Sequence, residues 1–152
     1  FKEGSRNYSE QKIKGIGLLP LKTTFFEKKL TRQINSESIW PCQSKINGFE
    51  IHNGQTEFDN MQSSLKIKPI FKDLDLGWYK ENNGGGTIAG IYIHGIFEND
   101  NWRDQYINLI RKSKNLPILD KESISFKKKR ESIIDNLAKE FNKNLNLTSF
   151  LS

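Results

Sequence analysis

Residues 87–111 read TIAGIYIHGIFENDNWRDQYINLIR, and the change of period inside this stretch decides the fold class. Its first part, 87–93, is apolar at both odd and even positions, the pattern of a strand inside a covered sheet. That run passes straight into His94-Gly95, so His94 is expected at a strand's carboxyl end. From residue 99 the period changes. Trp102, Tyr106, Leu109 and Ile110 stand at i, i+4, i+7 and i+8, which predicts a helix over 99–111 with Asp100 or Asn101 as its N-cap. Pro117 lies beyond its end.

Upstream, the turn-rich residues 82–86 (NNGGG) fold Trp78-Tyr79 back against 87–93 as a hairpin, and 63–71 and 76–80 are strand candidates. Residues 15–26 (GIGLLPLKTTFF) and 29–34 read as two extended segments, the second alternating Leu30, Arg32 and Ile34 against Thr31 and Gln33. In 48–52 (GFEIH), alternation puts Phe49 and Ile51 on one face and Glu50 and His52 on the other, and Asn53-Gly54 is expected to turn the chain. Downstream, Ile133, Ile134, Leu137, Ala138 and Phe141 predict a second helix over about 130–145, preceded by the basic run 127–130. Strands followed by helices imply a mixed sheet with helical cover, α/β or α+β.

At 152 residues and 35% apolar content the chain suits one domain or part of one. The longest apolar run, 88–93, is far short of the ~20 residues that cross a bilayer. The opening residues show no basic-then-apolar signal pattern, so the expectation is a soluble, cytoplasmic chain with no membrane partner. The first residue is Phe1, and residues 1–12 read as a polar leader, which fits the tail of a longer protein. Cys42 is the single cysteine and there are two histidines, too few soft ligands for a zinc site, so no metal is expected. The net charge of +6 comes from a lysine-rich composition that also favours Asn and Ile, and it carries little weight as a sign of nucleic-acid binding.

Each candidate site has a plain structural alternative. Gly84, Gly85 and Gly86 lack the Lys and Ser/Thr at a helix start that a phosphate loop needs, and Thr87 opens a strand instead. The run 127–130 reads as a solvated face. Cys42 follows Pro41 and has no flanking glycines, unlike a nucleophile elbow, so it reads as incidental. Glu50 and His52 suit either a structural pair on a sheet or a site wall. His94 is the strongest single position. Chemistry in α/β sheets gathers beyond the carboxyl ends of strands, and imidazole can take a nucleophile's proton and return it to a leaving amine.

The ordered segments GIGLLPLKTTF (15–25), KLTRQ (29–33), GFEIHNGQT (48–56) and GIYIHGIFENDNWR (90–103) resemble the carboxyl-terminal glutaminase domain of cobyric acid synthases, the cobalamin-pathway branch of class I glutamine amidotransferases. The resemblance implies a flavodoxin-like α/β domain, of which residues 13–146 would be the carboxyl-terminal part. It implies ATP- and glutamine-dependent amidation of side-chain carboxylates on adenosylcobyrinic acid a,c-diamide. It also carries the catalytic histidine of the H-G-x-F segment onto His94. The cysteine elbow lies upstream of the G-L-L-P segment, and ATP and Mg belong to a further amino-terminal domain. Both are expected outside this chain, which would then bind no cofactor itself and meet the corrinoid through that domain.

In class I enzymes generally, an acid two residues after the histidine orients the imidazole; here Ile96 stands there, as suits a branch working with a Cys-His pair. Glu50 and His52 are assigned to substrate binding at the site wall. Within the comparison, E-I-H-x-G at 50–54 favours cobyric acid synthase over the related a,c-diamide synthase, while a lipid II amidotransferase subunit, a further relative with the same Cys-His logic, stays an alternative. A non-catalytic basic binding module is the alternative from another class.

Overall fold

The structure, a computed structural model, describes residues 12–58, 66–82, 84, 86–119 and 125–145. The expected leader therefore lies outside the described residues, apart from Lys12.

Two long strands, β1 (Leu21–Ser38) and β2 (Ser44–Phe58), form an antiparallel ribbon. The two extended segments expected over 15–26 and 29–34 are joined in one strand, interrupted by a bulge. Phe25 pairs with Gly54 and Leu30 with His52, so residues 26–29 face Asn53 alone. Asn53-Gly54, expected as a turn, lies inside β2 opposite this bulge, where the Asn53 side chain donates to the Glu27 carbonyl at 3.5 Å. Bulges and turns use the same residue types, so local composition marked an irregularity without fixing its direction.

β3 (Lys68–Pro69), β4 (Gly77–Glu81) and β5 (Thr87–Ile91) make a second antiparallel sheet in that order. The β4–β5 hairpin is the expected one, closed by the Asn82 N–H donating to the Gly86 carbonyl at 2.8 Å. The strand candidate 63–71 shrinks to β3, with 63–65 outside the described residues.

The run 87–93 is not one covered strand. Its ladder with β4 ends at Ile91↔Gly77, where β4 begins; the Tyr92 N–H then donates to Leu76, and Ile93–His94 crosses to the first sheet as β6, beside β2. One apolar run thus serves two sheets. The described ladders are all antiparallel, in place of the single mixed sheet expected.

Where the sheets meet, Ser38 bridges to Phe71, and Ile34, Trp40, Ile46, Ile70, Phe71, Leu76, Tyr79, Ile93, Ile96 and Trp102 form the core. Burying such side chains stabilises by about 1.5–3 kcal/mol each before the entropy of ordering is counted. α1 (Asp100–Ser113) begins after Asn99, one residue before the expected caps, and packs through Trp102 and half-buried Tyr106. Leu109 and Ile110 stay exposed, so only the first half of the predicted apolar stripe covers the sheets.

α2 (Phe126–Asn144) starts earlier than its periodicity suggests and takes in the basic run 127–130, which is solvent-facing as expected. Ile133, Ile134, Leu137 and Phe141 are also exposed, so α2 adds no cover. It is tethered at its start, where the Phe126 N–H donates to Asp100 at 2.9 Å and Arg130 meets Glu98 at 3.4 Å. That N–H, with Arg103 beside it, holds the Asp100 carboxyl below the usual carboxylate range. Among the described residues no helix is long and apolar enough to cross a membrane.

Candidate active site

His94 is the last residue of β6 and is exposed, as its place at the end of an apolar run predicts. The register Phe49↔His94 and Glu50↔Ile93 fixes which face each side chain takes. Ile93 and Glu50 point into the interior, while His94 and Phe49 share the outer face. Among the described residues the His94 imidazole has no hydrogen-bond partner.

Two glycines set this position. At Gly48 a Cβ would meet the Ile93 side chain at 2.4 Å and the His94 carbonyl at 2.5 Å, so only glycine lets β6 approach β2 so closely. Gly95 has φ 80°, a left-handed conformation that turns the chain directly after His94 into a short 3-10 turn, Ile96–Glu98. Ile96, two residues after His94, is buried in the core. Alternate residues Ala89, Ile91, Ile93 and Gly95 line a cleft of about 520 Å³ bounded also by Phe97 and Tyr106.

Glu50 and His52 meet as the alternation predicts: His52 Nε2 donates to Glu50 Oε1 at 2.6 Å. Glu50 is only 3% exposed, and its second oxygen accepts from Arg32 Nε, so both carboxylate oxygens are engaged. The Gly54 N–H donates to His52 Nδ1 at 3.4 Å, and together these contacts specify the Nε2–H tautomer. His52 stacks on Tyr92, with ring centroids 4.9 Å apart; the Tyr92 hydroxyl joins Thr56 at 2.7 Å and Thr23 at 3.3 Å. Arg32 and Tyr92 were not singled out from sequence. Arg32 stood in the alternating segment 29–34, but its partner lies on another strand.

The network and His94 are therefore on opposite faces of one strand pair and do not touch through side chains. Glu50→Gln keeps an acceptor but loses the charge that Arg32 pairs with, and is expected to destabilise the β1–β2 ribbon by about 2 kcal/mol. Hydrogen exchange at β2 amides measures it, and unchanged protection there would count against a structural role for this pair.

Cys42 lies in the connection between β1 and β2, 3.9 Å from the Asn101 side chain, and burial pushes its thiol up. That is the wrong direction for a nucleophile, which works as a thiolate.

A CobB/CobQ-like glutamine amidotransferase domain matches over residues 2–102. Cobyric acid synthase of Prochlorococcus marinus strain MIT 9215 is 84% identical over 152 residues, all of this chain and 30% of the relative. That of P. marinus subsp. pastoris strain CCMP1986 is 73% identical over the same share of both. The enzyme of Synechococcus sp. strain CC9311 is 39% identical over 142 residues, 91% of this chain and 28% of the relative. The chain thus spans about 30% of the length of the curated relatives it matches most fully. No solved structure matches.

Proposed function

Since this chain belongs to the CobB/CobQ-like glutamine amidotransferase domain family, we propose that it supplies the histidine side of glutamine hydrolysis in a cobyric acid synthase. The observation that carries the reading is His94: an exposed imidazole without a side-chain partner among the described residues, at the carboxyl end of a strand.

The chemistry asks for such a group. A thiolate from elsewhere in the longer polypeptide attacks the side-chain amide carbon of glutamine. As the C–N bond breaks, the imidazolium passes its proton to the departing ammonia. The imidazole then takes a proton from the water that cleaves the thioester, glutamate leaves, and the proton returns toward the sulfur. Ammonia goes on to amidate side-chain carboxylates of adenosylcobyrinic acid a,c-diamide in cobalamin biosynthesis. Glutamine is the ligand of this domain, and the corrinoid meets the remainder of the polypeptide.

On this reading residues 13–146 are the carboxyl-terminal part of a flavodoxin-like domain in a cytoplasmic enzyme, with neither nucleic acid nor membrane as partner. Glu50 and His52 lie on the face opposite His94 with both Glu50 oxygens occupied, so they serve the site through the strand they hold and not by touching glutamine. ATP and magnesium belong to the other part of the polypeptide. The residues described here do not fit them: Gly84 and Gly86 lie between two strands rather than at a helix start, and no three His, Cys, Asp or Glu side chains converge among the described residues.

The test is isotopic. Full-length protein given ATP, the corrinoid and glutamine labelled with ¹⁵N in its side-chain amide is expected to place the label in the new corrinoid amides. Unlabelled amides formed from ambient ammonium alone would overturn the reading.

A further inference from the structure

His94 needs more than a two-residue strand to hold it. β6 pairs with β2 only at Phe49↔His94 and Glu50↔Ile93, after which Gly95 turns the chain away. Continuing that register would place Ile96 opposite Asn47, but Ile96 has entered the 3-10 turn.

Asn99 takes its place. Its Oδ1 accepts the Asn47 N–H at 2.8 Å and its Nδ2 donates to the Asn47 carbonyl at 2.9 Å, the two bonds a strand neighbour would make with that residue. The same Nδ2 lies 3.3 Å from the Gly95 carbonyl and 3.0 Å from that of Ile96. The carboxamide thus ties the strand beside His94 to the turn that follows it.

A second observation makes this more than an ordinary helix cap. Asn99 is the N-cap residue of α1, yet its side chain makes no capping hydrogen bond. Capping stabilises a helix start, and here the oxygen that would supply it is directed to Asn47 instead.

We propose that Asn99 is a positioning residue for His94: its carboxamide stands in for the missing strand residue and fixes the imidazole's backbone at the glutaminase site. This rests on His94 being the glutaminase histidine, so the experiment carries its own control. In the full-length protein, amidation is measured with glutamine or ammonium as nitrogen donor for Asn99→Asp, Asn99→Ala and His94→Ala. Aspartate is an excellent N-cap and keeps the acceptor for Asn47, but it has no N–H to offer the Asn47, Gly95 and Ile96 carbonyls.

Both Asn99 variants are expected to lose about 100-fold in glutamine-driven kcat, the size of a misplacement near 1 Å, with KM for glutamine within about twofold and ammonium-driven turnover intact. Glutamine-driven kcat within about twofold of wild type in Asn99→Asp would overturn the role, because a residue that merely caps α1 tolerates that change. Equal loss with both donors would also overturn it, making Asn99 a residue of the fold in general. If His94→Ala keeps glutamine-driven turnover, the reading of His94 fails, and the positioning role fails with it.

Discussion

Full-length protein carrying His94→Ala is expected to lose glutamine-driven amidation by about 10²–10⁴-fold, the usual worth of a positioned acid–base group, while ammonium-driven amidation persists. Ammonia as donor needs neither thioester formation nor protonation of a leaving amine, so a fault confined to the imidazole leaves that route open. The substitution should also be structurally mild. His94 is exposed on the outer face of β6 and bonds to no side chain among the described residues, and surface changes of that kind fall within about ±0.5 kcal/mol. His94→Gln should fail as fully as alanine, since an amide offers polar contacts but exchanges no proton near neutrality. Cys42→Ser, assayed beside them, should retain full glutamine-driven activity, because burial disfavours the thiolate there. Loss of the glutamine route in the cysteine variant, with the histidine variants active, would reverse the roles assigned to the two residues.

What the sequence made legible was local. Alternation across residues 48–52 correctly paired Glu50 with His52 on one face, and the apolar run ending at His94 correctly put that residue at a strand end. Period 2 says which side chains share a face but not which sheet the strand joins, so nothing in TIAGIYI announced the handover at Tyr92. The Asn53-Gly54 signal failed for a related reason: a bulge opposite a long partner strand satisfies the same turn-prone residues as a hairpin.

Asn99 was hidden more deeply. Its contact with Asn47 spans 52 positions and uses backbone atoms, which every residue offers, so no residue type at the far end could betray it. The nearest signal was a run of cap-forming residues, Asn99, Asp100 and Asn101, which located the helix start without revealing which carboxamide was spent elsewhere. The early start of α2 escaped because lysines 127–129 have no apolar period, although Ser125 accepts the Lys128 N–H there as an N-cap.

Trp102→Ala is expected to cost about 3–5 kcal/mol, the range for deleting a buried aromatic from a packed core. Trp102 is 0% exposed, stacks on Tyr106 at 5.3 Å between centroids, and meets the edges of Phe97 and Trp40. Its Nε1 donates to the Trp40 carbonyl at 3.0 Å, so alanine leaves both a cavity and a carbonyl without that donor, which points to the upper half of the range.

The damage should not stay in α1. Trp40 stacks in turn on Tyr79 of β4, at 4.6 Å, so the indole lies in a chain of rings linking the helix to the second sheet. Exchange protection in the full-length protein should therefore fall at β4 amides as well as at β2, with Trp102→Phe recovering most of it by refilling the cavity while still lacking the N–H. Loss confined to α1, with β4 protected as before, would mean that the two sheets hold together without the helix. Glutamine-driven turnover in Trp102→Phe should then exceed that of Asn99→Ala even if the two proteins are equally destabilised, since packing beneath the site can be partly rebuilt by another ring whereas the bonds to Asn47 cannot.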